Sequence, residues 1–171
     1  MLYHFKTEQW IGVAIEEVFR FFANPENLPR IMPPTTDTRL LHVNIVPPPD
    51  GDASKQNQGP VAGIGSEILT SLRLIPYLPF RRKWTARITE FDWNHYFADV
   101  QQEGPFKSFH HRHELTPEKR QTEMGTVIKD VIDYEIGFGP LDPIANLLVS
   151  RQLHKTFQYR QAALDTILCR S

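Results

Sequence analysis

The stretch Phe97–Leu115 reads FADVQQEGPFKSFHHRHEL and predicts two strands joined by a short link at Gly104–Pro105. Because side chains alternate across a strand, His111 and His113 share one face of the second strand with Phe109. The opposite face of this strand is polar throughout. A sheet with one buried face turns its more apolar side inward, so we expect both imidazoles to point into the core.

Five further segments have the composition and alternation of strands. They are Leu2–Ile11, Thr38–Val46, Ser66–Ile75, Trp84–Phe91 and Gln121–Glu135. Asp130 lies on the more apolar face of the last segment, which makes it a candidate for an inward-facing carboxylate. A turn is predicted at Thr116–Arg120, between the histidine strand and this last strand.

Three segments have helical spacing. Ile15–Ala23 carries an apolar stripe, and Asn24 followed by Pro25 predicts the cap and first residue of a second short helix that ends near Ile31. From Asp142, the predicted N-cap, to about Leu168 nothing breaks a long helix. The apolar stripe of this helix consists of Val149, Leu153, Phe157, Leu164 and Leu168.

Composition favours one soluble globular domain that covers residues 1–171. The net charge of −1 offers no strong attraction for nucleic acid, and no apolar run reaches the ~20 residues that span a bilayer. The single cysteine, Cys169, excludes an internal disulfide, and the N-terminus lacks the pattern of a signal peptide, so we expect a cytoplasmic location. The proline- and glycine-rich segment at about 47–65 predicts a flexible loop within this domain.

The order of elements defines the expected fold class. One strand, two short helices, a run of about six strands and one long helix predict an α+β fold with a curved antiparallel sheet of about seven strands. The long helix must bury its apolar stripe against the concave face of that sheet. Such packing is able to leave a space between helix and sheet.

The chain also resembles a known superfamily. The resemblance lies in the element order and in four stretches: Trp84–Ile88 (WTARI), Phe97–Phe106, Phe109–His113 and Thr126–Tyr134 (TVIKDVIDY). In these it is similar to the START-like helix-grip superfamily, also called SRPBCC, and to its bacterial ligand-binding subgroup. That superfamily includes lipid-transfer domains, pollen-allergen ligand carriers and polyketide cyclases. The resemblance covers nearly the whole chain and implies an apolar cavity between sheet and long helix, without an agreed catalytic set.

His111, His113 and Asp130 form the sharpest chemical constellation. If their strands are neighbours, these groups are able to line a cavity as a polar network, to act as an acid/base pair, or to bind a divalent metal. Cavity lining is the preferred interpretation, so we expect neither a metal nor a cofactor. The predicted ligand-binding residues are Trp84, Phe97, Asp99, Gln101, Phe109, His111, His113, Asp130 and Tyr134.

Some of these assignments leave alternatives open. Asp99 and Gln101 either join the polar network or face solvent, because both faces of their strand are mixed. Trp84, Phe109 and Tyr134 either form walls of the cavity or belong to an ordinary core. As a wall residue, Tyr134 would offer its hydroxyl to a ligand.

The preferred function is non-catalytic binding of a small lipophilic molecule with one polar end, by a monomer or a homodimer without nucleic-acid partners. The alternative is an enzyme, such as a cyclase, aromatase or dehydratase, with His111 or His113 as base. A third possibility is a partner-binding module. It is favoured if the long loop and the residues Ile144, Leu147 and Leu148 form an exposed apolar patch.

Overall fold

The described part of the chain folds into one seven-stranded antiparallel sheet and a long C-terminal helix, as the sequence predicts. The computed structural model describes residues 1–49, 59–74 and 79–169. The strands are β1 (Leu2–Ile11), β2 (Arg39–Asn44), β3 (Glu67–Leu72), β4 (Arg82–Asp92), β5 (Tyr96–Glu103), β6 (Ser108–Arg120) and β7 (Glu123–Glu135).

The strand order in the sheet is β1-β7-β6-β5-β4-β3-β2. Consecutive strands from β2 to β7 are neighbours, and β1 adds to the far edge beside β7. The links from β4 to β7 are short, as is usual between adjacent antiparallel strands, whereas the long loop joins β2 to β3. The register shifts in β2 near Leu40 and in β4 near Ile88. Such irregularities bend a strand, and they accompany the curvature of this sheet around the helix.

The helical elements are α1 (Ile15–Ala23), α2 (Leu28–Ile31) and α3 (Asp142–Leu168), with 3₁₀ turns at Pro25–Asn27, Pro34–Thr36 and Gly139–Leu141. The two short helices after β1 are therefore confirmed. The Asn24 side chain accepts a hydrogen bond from the Glu26 amide at 3.0 Å, which is the expected N-cap interaction. The predicted N-cap of α3 is wrong: Asp142 is already helical, and its carboxylate accepts from the Phe138 amide at 2.6 Å instead.

The turn predicted at Thr116–Arg120 is also wrong, because β6 continues through these residues to Arg120. The chain reverses at residues 121–122, where Gln121 has a φ of 55°, and Arg120 pairs directly with Glu123. Pro117 is tolerated in a strand here because β5 pairs with β6 only as far as Glu114. Beyond that point one edge of β6 needs no backbone donor.

The long loop predicted at about 47–65 lies partly outside the described residues, as does the end of the strand predicted to reach Ile75. The described end of the loop is held by backbone hydrogen bonds. The Ala62 amide donates to the Ala23 carbonyl at 2.9 Å, and the Gly63 amide donates to the Val46 carbonyl at 2.8 Å. These bonds attach the chain before β3 to the end of α1 and to the segment after β2.

The interior contains two apolar clusters. The larger surrounds α1 and includes Phe19, Phe97 and Leu164; the smaller lies towards the other end of the sheet and includes Phe109, Tyr134 and Phe157. The predicted stripe of α3 supplies residues to both clusters, although its first turns are largely exposed. No helix within the described ranges is long and apolar enough to cross a membrane.

Candidate functional site

The central strands place His111, His113 and Asp130 side by side. In the register of β6 and β7, His113 lies opposite Asp130, and His111 is its diagonal neighbour. Directly opposed residues of antiparallel strands project from the same face, so the three side chains meet. On the other side of β6, β5 places Phe97 opposite His113 and Asp99 opposite His111. The pairing of β5 with β6 thus puts Phe97 and Asp99 on the inner face, a choice that alternation alone left open.

One carboxylate oxygen of Asp130 lies close to both imidazoles. His111 Nε2 lies 2.9 Å from Asp130 Oδ1, and His113 Nδ1 lies 2.7 Å from the same atom. The first contact has hydrogen-bond geometry. The second is short, but Oδ1 lies away from the direction of an Nδ1–H bond, so Nδ1 of His113 has no properly aligned partner among the described residues. We treat it as an electrostatic contact with only a weak hydrogen-bond component.

Burial controls the charge of this group. His111 and His113 are 7% and 5% exposed. Burial, with the neighbouring His113 ring, lowers the pKa of His111 to about 4, and burial also lowers the pKa of His113. Burial by itself would raise the pKa of the Asp130 carboxyl, but the close contact with His113, the hydrogen bond from His111 and the charge of Arg160 hold it well below its usual range. At neutral pH the site therefore contains two neutral imidazoles around one carboxylate.

This charge state fixes the role of His111. An ionised carboxylate only accepts hydrogen bonds, so the Nε2 atom of His111 must carry the hydrogen that it shares with Asp130. Its Nδ1 atom then carries a lone pair that no described residue engages in a hydrogen bond, and this lone pair is able to accept a proton or a hydrogen bond. The ring is also fixed by its neighbours, since its centroid lies 4.0 Å from that of His113 and 5.8 Å from that of Phe157.

Asp99 extends the polar group along β5. Burial raises the pKa of its carboxyl, and the nearby His111 only partly opposes this effect. By surface area, however, Asp99 is only half-buried. The raised pKa indicates a carboxyl surrounded by protein, whereas the surface area indicates partial exposure. A space within the fold beside Asp99 accounts for both observations, and we favour that interpretation. Potential ligand atoms of Asp99, His111 and His113 lie within 4.8 Å of one another, so this set could hold a metal ion.

Arg160 is the main functional candidate that the sequence reasoning missed. It projects from the buried side of α3 and is 7% exposed. Its charge interacts with Asp130 and Asp99, while burial lowers its pKa from the ordinary value. The spacing of the sequence could have revealed it, because Arg160 continues the apolar stripe from Phe157 to Leu164 at helical intervals.

The polar residues lie between the two apolar clusters. On one side, the His113 ring contacts Phe97 and Phe22, with centroid distances of 4.5 and 5.3 Å. On the other side, His111 approaches Phe157. We call Asp99, His111, His113, Asp130 and Arg160 the polar belt. It crosses the interior from the sheet to α3 and separates two aromatic-rich regions.

The other predicted site residues lie around the belt or use their polar groups elsewhere. Trp84 packs edge-on against Phe109, with centroids 4.7 Å apart, in the smaller apolar cluster. The Tyr134 hydroxyl donates to Asn146 Oδ1 of α3 at 2.6 Å, so it is already engaged. The Gln101 amide donates to the Phe106 carbonyl at 2.8 Å, which ties together the link between β5 and β6. The structure thus does not bring Gln101 into the belt.

Two surface features lie apart from the belt. A cleft of about 470 Å³ lies beside α1, and its walls include none of the predicted site residues. The first turns of α3 expose Ile144, Leu147 and Leu148 at 67%, 71% and 68%. These three residues provide the helical part of the apolar patch expected for a partner-binding module. The central part of the long loop lies outside the described residues, so the rest of that hypothesis stays a prediction.

Comparison with known proteins agrees with this architecture. Together, the antiparallel sheet, the two short helices after β1 and the long C-terminal helix define a START-like helix-grip fold. Residues 11–160 match the family model described as polyketide cyclase / dehydrase and lipid transport. The chain belongs to this family, whose members share a fold used by lipid- and ligand-binding proteins. A sequence comparison with curated proteins gives no significant match.

Solved structures show the same fold at low identity. The protein CV1439 from Chromobacterium violaceum is 12% identical, with a TM-score of 0.66 and coverage of 96% of each chain. A START superfamily protein from Mycobacterium smegmatis is 13% identical, with a TM-score of 0.63 and coverage of 98% of this chain and 97% of that one. Ara h 8.0201 is 13% identical, with a TM-score of 0.63 over 100% of both chains. At these identities the likeness establishes the fold alone.

Proposed function

We propose that the protein binds a small lipophilic molecule with one polar end, between the sheet and α3. The observation that carries this proposal is the polar belt, a set of ionisable side chains buried between two separate apolar clusters. Burying such groups is unfavourable unless each finds a partner. A ligand with a polar end would supply partners to the belt while its apolar part contacts the aromatic side chains.

The surroundings of the belt support this arrangement. Apolar contact supplies affinity at about 25 cal/mol per Å² of buried surface, and a few polar groups fix orientation. The aromatic side chains nearest the belt are Phe22, Phe97, Phe109 and Phe157. The half-buried surface of Asp99, whose carboxyl lies deep in the fold, is consistent with a space that a ligand would occupy.

A ligand screen tests the proposal. Fatty acids, sterols and aromatic polyketides would be examined by thermal shift and by native mass spectrometry. A true ligand at 100 times its Kd stabilises the fold by about 2.7 kcal/mol, which raises the melting temperature by several degrees. If no member of the three classes stabilises the protein or remains bound in the gas phase, the proposal is wrong.

Alanine substitutions of two tryptophans, one beside the belt and one remote from it, test where the ligand binds. Trp84 packs against Phe109 beside the belt, whereas Trp10 donates to the Glu118 carbonyl and stacks with Arg120, remote from it. Replacement of Trp84 by alanine removes apolar contact area, so we expect the Kd of an identified ligand to rise about tenfold or more. Trp10→Ala should leave that Kd unchanged, and equal effects of both substitutions would place the ligand elsewhere.

A second candidate function is acid/base catalysis of a cyclisation, aromatisation or dehydration. The observation that favours it is the hydrogen bond from His111 to an ionised Asp130, which leaves the other ring nitrogen as a proton acceptor. Asp130 would act as the positioning residue and His111 as the base. Compared with the poorly aligned His113, His111 is the better candidate.

Turnover of compounds identified by the screen tests this candidate. General acid/base catalysis contributes about 10²- to 10⁴-fold, so Asp130→Asn and His111→Gln should each lower kcat by that order. Binding of the same compound should remain measurable in both variants, which separates lost chemistry from lost structure. Undiminished turnover in both variants would exclude this assignment, and binding without any turnover would leave ligand carriage as the function.

A further inference from the structure

Arg160 is a buried cation without a polar partner in the described part of the chain. It is 7% exposed, yet it forms no hydrogen bond and no ion pair with any described residue. Transfer of a guanidinium from water into a protein interior is costly unless hydrogen bonds replace those to water. Asp130 and Asp99 act on it only through their charge and do not contact its nitrogen atoms.

Two aromatic rings flank this guanidinium. The Arg160 Cζ atom lies 4.7 Å from the Phe157 ring centroid and 5.7 Å from that of Phe22. Both distances permit cation–π attraction between the guanidinium charge and the face of each ring. A guanidinium has five N–H donors in a planar fork, and a ring contact does not replace the hydrogen bonds that these donors make to water. The two rings thus hold the guanidinium in place, while no described residue accepts a hydrogen bond from its N–H donors.

We propose that the guanidinium of Arg160 binds the carboxylate of the ligand, which makes that ligand a lipophilic carboxylic acid. This inference rests on the proposed function and assigns the chemical class of the polar end. A guanidinium edge matches a carboxylate in a two-bond arrangement, and such charge-assisted bonds are about twice as strong as neutral ones. The hydrocarbon part of the acid would lie against the aromatic rings that already flank Arg160.

The charge of the belt selects a monoanion. Arg160 brings one positive charge, and Asp130 already brings one negative charge that it retains at neutral pH. A carboxylate adds a single negative charge to this environment. A phosphate monoester carries up to two, so the neighbouring Asp130 opposes it more strongly. We therefore expect a carboxylate to bind better than a phosphate on the same hydrocarbon chain.

Three probes with one hydrocarbon chain test the inference: dodecanoic acid, 1-dodecanol and dodecyl phosphate. Their Kd values would be measured at pH 7 by competition with a fluorescent apolar dye, for the full-length wild type and three variants. Arg160→Met removes the charge at similar length, and Arg160→Lys keeps the charge without the planar fork. Arg151→Met is the matched control, because Arg151 is exposed on the same helix.

We expect the wild type to bind the acid most tightly of the three probes. Arg160→Met should weaken acid binding about 10- to 100-fold and leave alcohol binding unchanged. Arg160→Lys should retain part of the preference, and Arg151→Met should retain all of it. Thermal unfolding provides the structural control: Arg160→Met should change the melting temperature only slightly, because the lost attraction to Asp130 and to the two rings is offset by removal of a buried charge that forms no hydrogen bond with a described residue.

The contrary outcomes are distinct. Equal affinity for acid and alcohol, unchanged in Arg160→Met, overturns the inference and leaves the proposed function intact. Tighter binding of dodecyl phosphate overturns the choice of a carboxylate. Acid binding that survives Arg160→Met but disappears with a chelator would assign the anion to a metal held by Asp99, His111 and His113, and would also overturn the inference. If neither acid nor alcohol binds, the proposed function fails together with it.

Discussion

Acidification from pH 7 to pH 5 should destabilise the fold through His111. This imidazole is buried and shares its Nε2 hydrogen with Asp130, and burial lowers its pKa from 6.5 to about 4. In the unfolded chain the same group takes up a proton near pH 6.5. Between these values the unfolded state binds more protons than the folded state, so the free energy of unfolding falls as the pH falls.

The size of the effect follows from the two pKa values. At pH 7 both states are mostly unprotonated at His111, so the group costs the fold only about 0.2 kcal/mol. At pH 5 the unfolded imidazole is almost fully charged and the folded one is still mostly neutral, which costs about 2 kcal/mol. We therefore expect His111 to remove about 2 kcal/mol from the free energy of unfolding between pH 7 and pH 5.

Urea unfolding of wild type and His111→Gln at pH 5, 6 and 7 isolates this contribution. A glutamine amide is able to donate to Asp130 in place of Nε2, but it does not titrate. Comparison with the variant matters because Asp99, whose pKa is raised, gives a pH dependence of opposite sign. His95→Gln is the matched control, since His95 is exposed. Equal slopes for wild type and His111→Gln, within about 0.5 kcal/mol, would refute the reasoning.

Three further substitutions test the packing around the belt, each by urea unfolding at pH 7. Asp130→Asn should lower the free energy of unfolding by about 1–3 kcal/mol, because both imidazoles lose a charged acceptor; an unchanged value would mean that water satisfies them equally well. Tyr134→Phe should cost about 1 kcal/mol, since it removes only the hydrogen bond to Asn146, and a cost above 3 kcal/mol would reveal a larger role. Leu164→Ala should lower the free energy of unfolding by about 2–5 kcal/mol, because Leu164 is buried. Leu147→Ala, on the exposed side of the same helix, should lower it by less than about 0.5 kcal/mol. Similar costs for the two substitutions would contradict the observed orientation of α3.

The proposed carboxylate site gives the polar belt a consistent chemical role. Before a ligand binds, the belt holds the Arg160 cation, the Asp130 carboxylate, two neutral imidazoles and the Asp99 carboxyl, whose pKa is raised by burial. A carboxylate on Arg160 would leave the lone pair of His111 available for the rest of the molecule. Ligand carriage and acid/base chemistry would thus use the same residues and differ in whether the bound molecule has a proton within reach of that lone pair.

Local patterns in the sequence determined the elements and one face of the site. Alternation along β6 and β7 placed His111, His113 and Asp130 on inner faces, because in a strand the direction of a side chain depends only on its position. Helical spacing fixed the extent of α3 and most of its buried stripe in the same way. The turn assigned to Thr116–Arg120 failed because composition favoured a break, whereas pairing with β7 supports a strand there.

Only the tertiary structure decided which groups act together. The pairing of β5 with β6 turned Asp99 inward. The Gln101 amide instead donates to the Phe106 carbonyl, and the Tyr134 hydroxyl donates to Asn146. The rotation and depth of α3 against the sheet brought Arg160 to the carboxylates of the belt. Strand register and helix docking depend on contacts between residues far apart in the chain, whereas periodicity within one element specifies only which of its faces is buried.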